Sequence, residues 1–284
     1  MTNRNNKLKW REPFYRGWSA VRRGIGLVRP AKEKGMGAIP RTLGTTFRVW
    51  APNARRVTVS GDFNEWSQER DPLVSEKNGY WSATLSRART GDQYKYVIHT
   101  KQSSLMRNDP YTREIDKKQG NSIIRRMKAK SQEERPPWMA PWNELVIYEM
   151  HVGTFNGAAE NQPGGFADTI EKLPYLRDLG INAIEIMPVA EFAGDYSWGY
   201  NPAHPFAVTQ VYGGPEVFRR LVEKAHEEGI AVIVDVVFNH FGPQDLDLWQ
   251  FDGWQRDGKG GIYFYNDWRS TTPWGDTRPD YGRE

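Results

Sequence analysis

The chain has 284 residues, no cysteine and a formal net charge of +4; domains run to roughly 100–200 residues, so this length holds two ordinary domains or one sizeable barrel and excludes a peptide or small disulfide scaffold. Hydrophobic residues make up 38% and aromatic residues 13%, which argues against disorder and leaves rings to fill a core or line surfaces that stack flat ligands. Without cysteine there are no disulfides, thiolate metal ligands or cysteine nucleophiles, a usage that points to a cytoplasmic setting, and no apolar run of membrane-spanning length or signal peptide is read, so no membrane partner is expected.

Residues 1–40 read as a basic arm. Ten lysines and arginines there face only Glu12 and Glu33, a net of +8, whereas the rest of the chain holds 29 basic and 33 acidic side chains. The positive residues show no ordered spacing, so the arm reads as a solvated tail and no nucleic-acid partner is expected. Residues 41–112 hold short alternating segments at 47–50, 56–60, 80–85 and 93–98. Between them lie Pro52-Asn53, Gly61-Asp62, Asn78-Gly79 and Gly91-Asp92, pairs suited to tight connections. Strands at this spacing predict an antiparallel β-sandwich of about 75 residues, ending near Asp109-Pro110-Tyr111. Residues 113–143 are charged and then proline-rich, with only Ser122-Ile123-Ile124 as a brief apolar run, and read as a linker or packing strap.

From 144 to 284 the pattern becomes strand, helix, strand, helix, strand. The strands are 145–151, 181–189 and 230–237, the last two nearly uninterrupted apolar runs that suit a parallel sheet covered on both faces. The helix between the second and third opens at Pro215, aligns Phe218, Leu221, Val222 and Ala225 on one stripe and stops at Gly229. The other spans 166–179 and contains Pro174. An interior proline costs about 3 kcal/mol, so that helix is expected to kink or begin late. Repeated units of this kind predict a doubly wound sheet or a β/α barrel.

With a period of two, Ile147, Glu149 and His151 share one strand face, Ala183, Glu185 and Met187 another, and Ile233, Asp235 and Val237 a third. A buried carboxylate has to be paired, hydrogen-bonded or close to solvent. Glu149 and Glu185 read as an interior polar network that fixes strand register. Asp235 reads differently: it lies near the C-terminal end of its strand, followed by Asn239 and His240, where a barrel opens on its active site.

The segment Asp235-Val-Val-Phe-Asn-His240 resembles the third-strand motif of the α-amylase family of glycoside hydrolases and transglycosidases. Tyr148-Glu-Met-His-Val-Gly-Thr-Phe155 is similar to that family's first strand, and Ile186-Met-Pro-Val-Ala-Glu-Phe192 with Ser197-Trp-Gly-Tyr-Asn-Pro202 to its second strand and following loop. Phe47-Arg-Val-Trp-Ala-Pro52, Gly61-Asp-Phe-Asn-Glu-Trp66, Tyr94-Lys-Tyr96 and Asp109-Pro-Tyr111 resemble the glucan-binding sandwich that precedes the barrel in branching and debranching enzymes. The resemblance covers residues 36–284 in order. It implies a multidomain chain, an N-terminal β-sandwich followed by about three β/α units of a TIM (β/α)8 barrel.

The same resemblance implies that Asp235 and His240 hold hydroxyls of the sugar at the cleavage point and that Tyr200 stacks beneath it. Trp198 either lines this cleft or packs its loop. Asn239 matches an asparagine that ligates calcium in many amylases, but the other oxygen ligands a hard cation needs are missing, so neither a metal nor a cofactor is expected. Trp66 matches a sugar-stacking tryptophan of the sandwich modules; the second ring expected after residue 98 is absent, which favours a module that chiefly packs against the barrel. Trp249, Trp254, Trp268 and Trp274 fall in the long loop after the third strand, as subsites or as that loop's own core.

Retaining transfer or hydrolysis needs a nucleophile and an acid about 5–5.5 Å apart. The family carries these after its fourth and fifth strands and a third carboxylate after the seventh, so they are expected to lie beyond Glu284, in a C-terminal part of the barrel that this chain lacks. The expectation is therefore an α-glucan-acting chain of the branching-enzyme kind, inactive alone, with α-glucan polysaccharide as its partner. An amylase-like or trehalose-releasing hydrolase is the alternative, and a non-catalytic glucan-binding fragment the reading from another class.

Overall fold

The computed structural model describes residues 35–126, 139–157, 159, 162–242 and 247–283. The basic arm up to residue 34, and residues 127–138 of the strap, lie outside the described residues. Among those described, no helix is long and apolar enough to cross a membrane.

The alternating segments form an antiparallel sandwich. Its strands are β1 (Gly37–Arg41), β2 (Gly44–Trp50), β3 (Arg56–Gly61), β4 (Val74–Ser75), β5 (Tyr80–Leu85), β6 (Gln93–His99), β7 (Ser104–Arg107) and β8 (Ser122–Ile123). One sheet has the order β1-β2-β5-β4 and the other β3-β6-β7, with β8 also paired to β6. Inward residues Phe47, Val49, Val57, Val59, Tyr94, Tyr96 and Ile98 are buried, as period-two alternation demands. Phe47 meets Tyr94 edge-on at 5.1 Å and Tyr96 at 6.5 Å. Both phenols need a polar partner once buried, and both find Asp109: Tyr94 donates to its carboxylate at 2.6 Å and Tyr96 at 3.5 Å, while the Tyr111 N–H donates at 2.8 Å. Burial pushes Asp109 up to about 6. The short apolar run of the strap joins this domain, with Ile124 buried in its core and Arg125 paired with Glu114.

The same core takes in residues from the far end of the chain. Phe251 and Ile262 are buried among the sandwich side chains, with Tyr263 packed against them. Tyr263 lies edge-on to Trp50 at 6.0 Å. Polar bonds frame the insertion. Asp252 accepts from the Asn53 backbone and side chain, both at 2.9 Å; Asp247 accepts from the Asn108 backbone at 2.9 Å and side chain at 2.6 Å; Arg107 donates to the carbonyls of Phe251 and Gln250.

The β/α part contains β9 (Ile147–Met150), α1 (Val152–Phe155), α2 (Phe166–Glu171), α3 (Leu173–Asp178), β10 (Ala183–Ile186), β11 (Ala190–Phe192), β12 (Pro202–Val208), α4 (Gly214–Glu227) and β13 (Ala231–Val234). The strands β13-β10-β9 form a parallel sheet. Each is shorter than the apolar run that announced it, although single ladder bonds continue past the ends, such as Asp235 N–H to Ile186 O at 2.9 Å. The interrupted helix is two helices, α2 and α3, with Pro174 in the first turn of the second, where its missing N–H has no partner to lose. A short antiparallel ribbon, β11 with β12, was not anticipated from the sequence. Its Phe206 stacks on Tyr111 of the sandwich at 5.2 Å and 8°, with Arg113 above it.

Among the described residues, helices cover one face of the parallel sheet. Met150, Ile184 and Ile186 pack with Phe166, Leu173, Leu176, Leu221 and Ala225 from the helices. On the opposite face Ile147 and Glu149 are exposed and Glu185 is half-buried. Neither glutamate makes a hydrogen bond or ion pair among the described residues, so the expected register-fixing network does not form among them; the two stand opposite each other in the ladder.

Phe251 has no exposed surface, and truncating such a ring typically costs about 3–5 kcal/mol. Phe251→Ala is expected to lower the denaturant midpoint of the sandwich by a corresponding amount, although its chain position places it far from the strands. A midpoint equal to that of the unaltered chain would show that the two regions fold apart.

Candidate functional site

The loop between β11 and β12 carries the first candidate residues and is tied to the end of β9. His151 Nε2 lies 3.0 Å from the Ser197 carbonyl and 2.9 Å from the Tyr212 hydroxyl, which itself donates to Ser197 O at 3.0 Å. The Ser197 hydroxyl bonds Asn201 at 2.7 Å and accepts the Gly199 N–H at 3.0 Å. Gly199 has φ +85°, and a Cβ there would lie 2.0 Å from the Pro188 carbonyl. Only glycine fits, and the turn it permits swings Tyr200 over the end of β13.

There the Tyr200 hydroxyl donates to Asp235 Oδ2 at 2.8 Å. This bond first, then slight burial and the charges of Asp235, Glu149 and Glu185, push the phenol up to about 12. Tyr200 thus keeps its proton at neutral pH and acts as the donor, while the second carboxylate oxygen stays available. Its ring is 39% exposed. Asp235 also borders a cavity of about 310 Å³ whose other walls, including Pro188, Phe206, Phe218, Val236 and Phe238, are apolar.

His240 is buried, and its ring stacks on Trp274 with centroids 4.5 Å apart and planes 5° from parallel. Asn239 is exposed, its amide nitrogen 3.3 Å from His240 Nδ1. Burial lowers the His240 imidazole below its ordinary value, partly offset by the Tyr200 backbone. No group of three or more acidic or histidine side chains that could hold a metal ion occurs among the described residues.

The structure therefore brings Tyr200 and Asp235 into direct contact and sets His240 beside the Tyr200 backbone with Asn239 at its edge. Trp198 is not part of this cluster. It is 72% exposed and lines a separate groove of about 620 Å³ with His151, Thr154, Tyr196 and Tyr212. Trp66 lies in the sandwich just past the 3-10 turn Asp62–Asn64, with φ +58° and its indole N–H donating to Asp62 at 3.0 Å. Of the late tryptophans, Trp249 packs on Phe264 and fills the loop's own core, Trp254 lies under Arg283, and Trp268 and Trp274 are exposed.

Two features near the site were not foreseen from the sequence. One is the pairing of His240 with Trp274, which reads only as one of the late-loop tryptophans and has no spacing relation to His240. The other is Glu191, buried in β11, which accepts from the Gln210 N–H at 3.0 Å and the Thr209 hydroxyl at 3.3 Å; burial pushes it up to about 7.

Residues 35–112 match the family model for carbohydrate-binding module 48 (isoamylase N-terminal domain), and residues 148–268 the model for the alpha amylase catalytic domain. The chain is 38% identical over 228 residues to a 1,4-alpha-glucan branching enzyme GlgB of Bradyrhizobium sp. (strain BTAi1), covering 77% of this chain and 32% of that protein. It is also 38% identical over 234 residues to a malto-oligosyltrehalose trehalohydrolase of Saccharolobus solfataricus, covering 82% of this chain and 37% of that protein. A solved structure of a putative alpha amylase from Salmonella typhimurium superposes with a TM-score of 0.67 at 28% identity, over 88% of this chain and 39% of that one. The chain thus spans about a third of the length of the curated relatives it matches.

Glu191 sets a pH dependence of stability. Its carboxyl holds a proton more tightly folded than unfolded, so folding binds protons and stability falls as pH rises from the ordinary value of 4.5 towards about 7. The loss is on the order of a few kcal/mol. Glu191→Gln is expected to remove that part of the slope and to leave the chain at least as stable as the original at pH 8. Parallel denaturation curves between pH 5 and 8 check this; identical slopes in both proteins would refute it.

Proposed function

Because this chain, a carbohydrate-binding module 48 followed by part of an alpha amylase catalytic domain, belongs to the α-amylase family, we propose that it acts on α-1,4-glucans such as glycogen or starch, within a retaining glycosyl transfer of the branching kind. The observation that carries the proposal is the Tyr200–Asp235 pair at the C-terminal end of β13. A half-exposed ring offers a flat apolar surface for a sugar face, and the adjoining carboxylate offers charge-assisted hydrogen bonds to its hydroxyls. His240 and Asn239 complete the polar side of that subsite, and Trp198 extends the aromatic surface along the neighbouring groove. Trp66 is the one ring of the sandwich that matches a sugar-stacking position, in a module that chiefly packs against the rest of the chain.

In this reading the chain's own residues bind and orient. The Tyr200 proton stays on its oxygen and fixes Asp235 Oδ2, which leaves the other carboxylate oxygen to accept from a sugar hydroxyl. Cleavage needs a carboxylate nucleophile and a carboxylic acid about 5–5.5 Å apart on either side of the glycosidic oxygen. The family resemblance puts both on strands that follow the three described, so the 284 residues alone are proposed to lack turnover. Branching stands ahead of hydrolysis because several of the similar curated relatives are 1,4-alpha-glucan branching enzymes. Similarity to a trehalohydrolase keeps hydrolysis as the second reading.

In glycogen-containing native gels the chain is expected to be retarded, and Trp66→Ala abolishes that retardation only if the sandwich alone binds glucan, as in the non-catalytic reading; equal mobility with and without glycogen would count against a glucan ligand. Asp235→Asn is expected to weaken malto-oligosaccharide binding by about tenfold, the scale of one charge-assisted hydrogen bond, with an unchanged melting transition. Reducing-sugar release or new branch points made by the purified 284-residue chain would overturn its proposed inactivity.

A further inference from the structure

His240 and Trp274 are far apart in sequence, yet their rings lie face to face at 4.5 Å. The two differ sharply in burial: His240 is 4% exposed and Trp274 67%. The indole therefore covers the histidine while most of its own surface meets solvent, which is not how a ring that merely fills a core behaves.

The chain holds the indole there with several independent bonds. Phe241 N–H donates to Thr277 O at 3.0 Å and the Thr277 hydroxyl donates to Phe241 O at 2.8 Å, which clasps the residue after His240 to the segment after Trp274. Thr272 and Gly275 exchange backbone bonds at 2.8 and 3.1 Å, and the Trp274 N–H donates to the Thr272 hydroxyl at 3.2 Å. Asp276, next along, accepts from Lys259 at 2.6 Å and Thr271 at 2.7 Å.

The edge of the imidazole is specified as well. The Asn239 amide nitrogen faces Nδ1 at 3.3 Å. An amide N–H only donates, so Nδ1 accepts and the proton of the neutral ring lies on Nε2. Nε2 itself is buried and has no hydrogen-bond partner among the described residues. Of the nearby titratable groups, Tyr200 bonds Asp235; burial lowers the His240 imidazole and the Tyr200 backbone opposes that.

We propose that Trp274 is a positioning residue for His240: its stacked indole holds the imidazole in one rotamer and one tautomer and keeps water from its face. The inference deepens the glucan reading, on which it rests only for what Nε2–H finally meets. An imidazole free to flip would present Nδ1 or Nε2 at random. A clamped one presents a single donor.

The test is nitrogen-15 NMR of the histidine rings in the full chain, with no glucan present. In the unaltered chain His240 is expected to carry its proton on Nε2 and to titrate below the ordinary 6.5. In Trp274→Ala its midpoint should move up towards that value and both tautomers should be populated. Trp274→Phe, which retains a flat ring, should restore the original behaviour. His204, deeply buried and held down near 4, and His151 act as references and should not move. The proposal fails if Trp274→Ala leaves His240 unchanged, if Trp274→Phe behaves as the alanine variant does, or if His151 or His204 shift together with His240, since the effect is then not local. Retardation by glycogen is a separate measurement, so failure of the clamp and failure of the glucan reading are distinguishable.

Discussion

The architecture depends on one interlocking contact: Phe251, Ile262 and Tyr263, from the loop after the third parallel strand, sit inside the hydrophobic core of the N-terminal sandwich. Two domains that touched only at polar surfaces would be free to reorient, since small polar contacts within a chain permit relative motion. Here the apolar core is shared, and its rim is closed by carboxylates that each accept two bonds from one asparagine, Asp252 from Asn53 and Asp247 from Asn108. The sandwich is thus a foundation for the loop that carries Trp274, and through it for the surroundings of His240.

A second consequence follows from the way helices cover one face of the parallel sheet. Helices bury Ile184 and Ile186, whereas Glu149, Glu185 and Asp235 lie on the other side. The Tyr200 phenol is raised first by its bond to Asp235 and by burial, and further by the charges of Asp235, Glu149 and Glu185.

Much of the fold was legible because its signals are local. Alternation announced β2, β3, β5 and β6, and the proline-first, glycine-last pattern announced α4, which runs from Gly214 to Glu227. Pro174 announced a break, and the chain broke there into α2 and α3. What stayed hidden was non-local or too short for a period to register. The β11–β12 ribbon has three residues on one side, and the stack of Trp274 on His240 joins positions with no spacing rule between them. The polar network expected of Glu149 and Glu185 failed for a related reason: alternation says that two side chains share a face but not whether anything covers it. Motif order placed Asp235 and Tyr200 near each other, while the exposed position of Trp198 in a neighbouring groove depends on the turn at Gly199, which only geometry reveals.

The shared core also has a history in time. Asn53 bonds a residue 199 positions later and Tyr263 bonds one 213 positions earlier. At synthesis rates of about 5–20 residues per second, the last strand of the sandwich proper, β7, emerges roughly 7–30 s before the side chains that complete its core. During that interval the cleft that will receive Phe251 and Tyr263 is open. Contacts of such long range also slow folding, because the intervening chain must be ordered before they form.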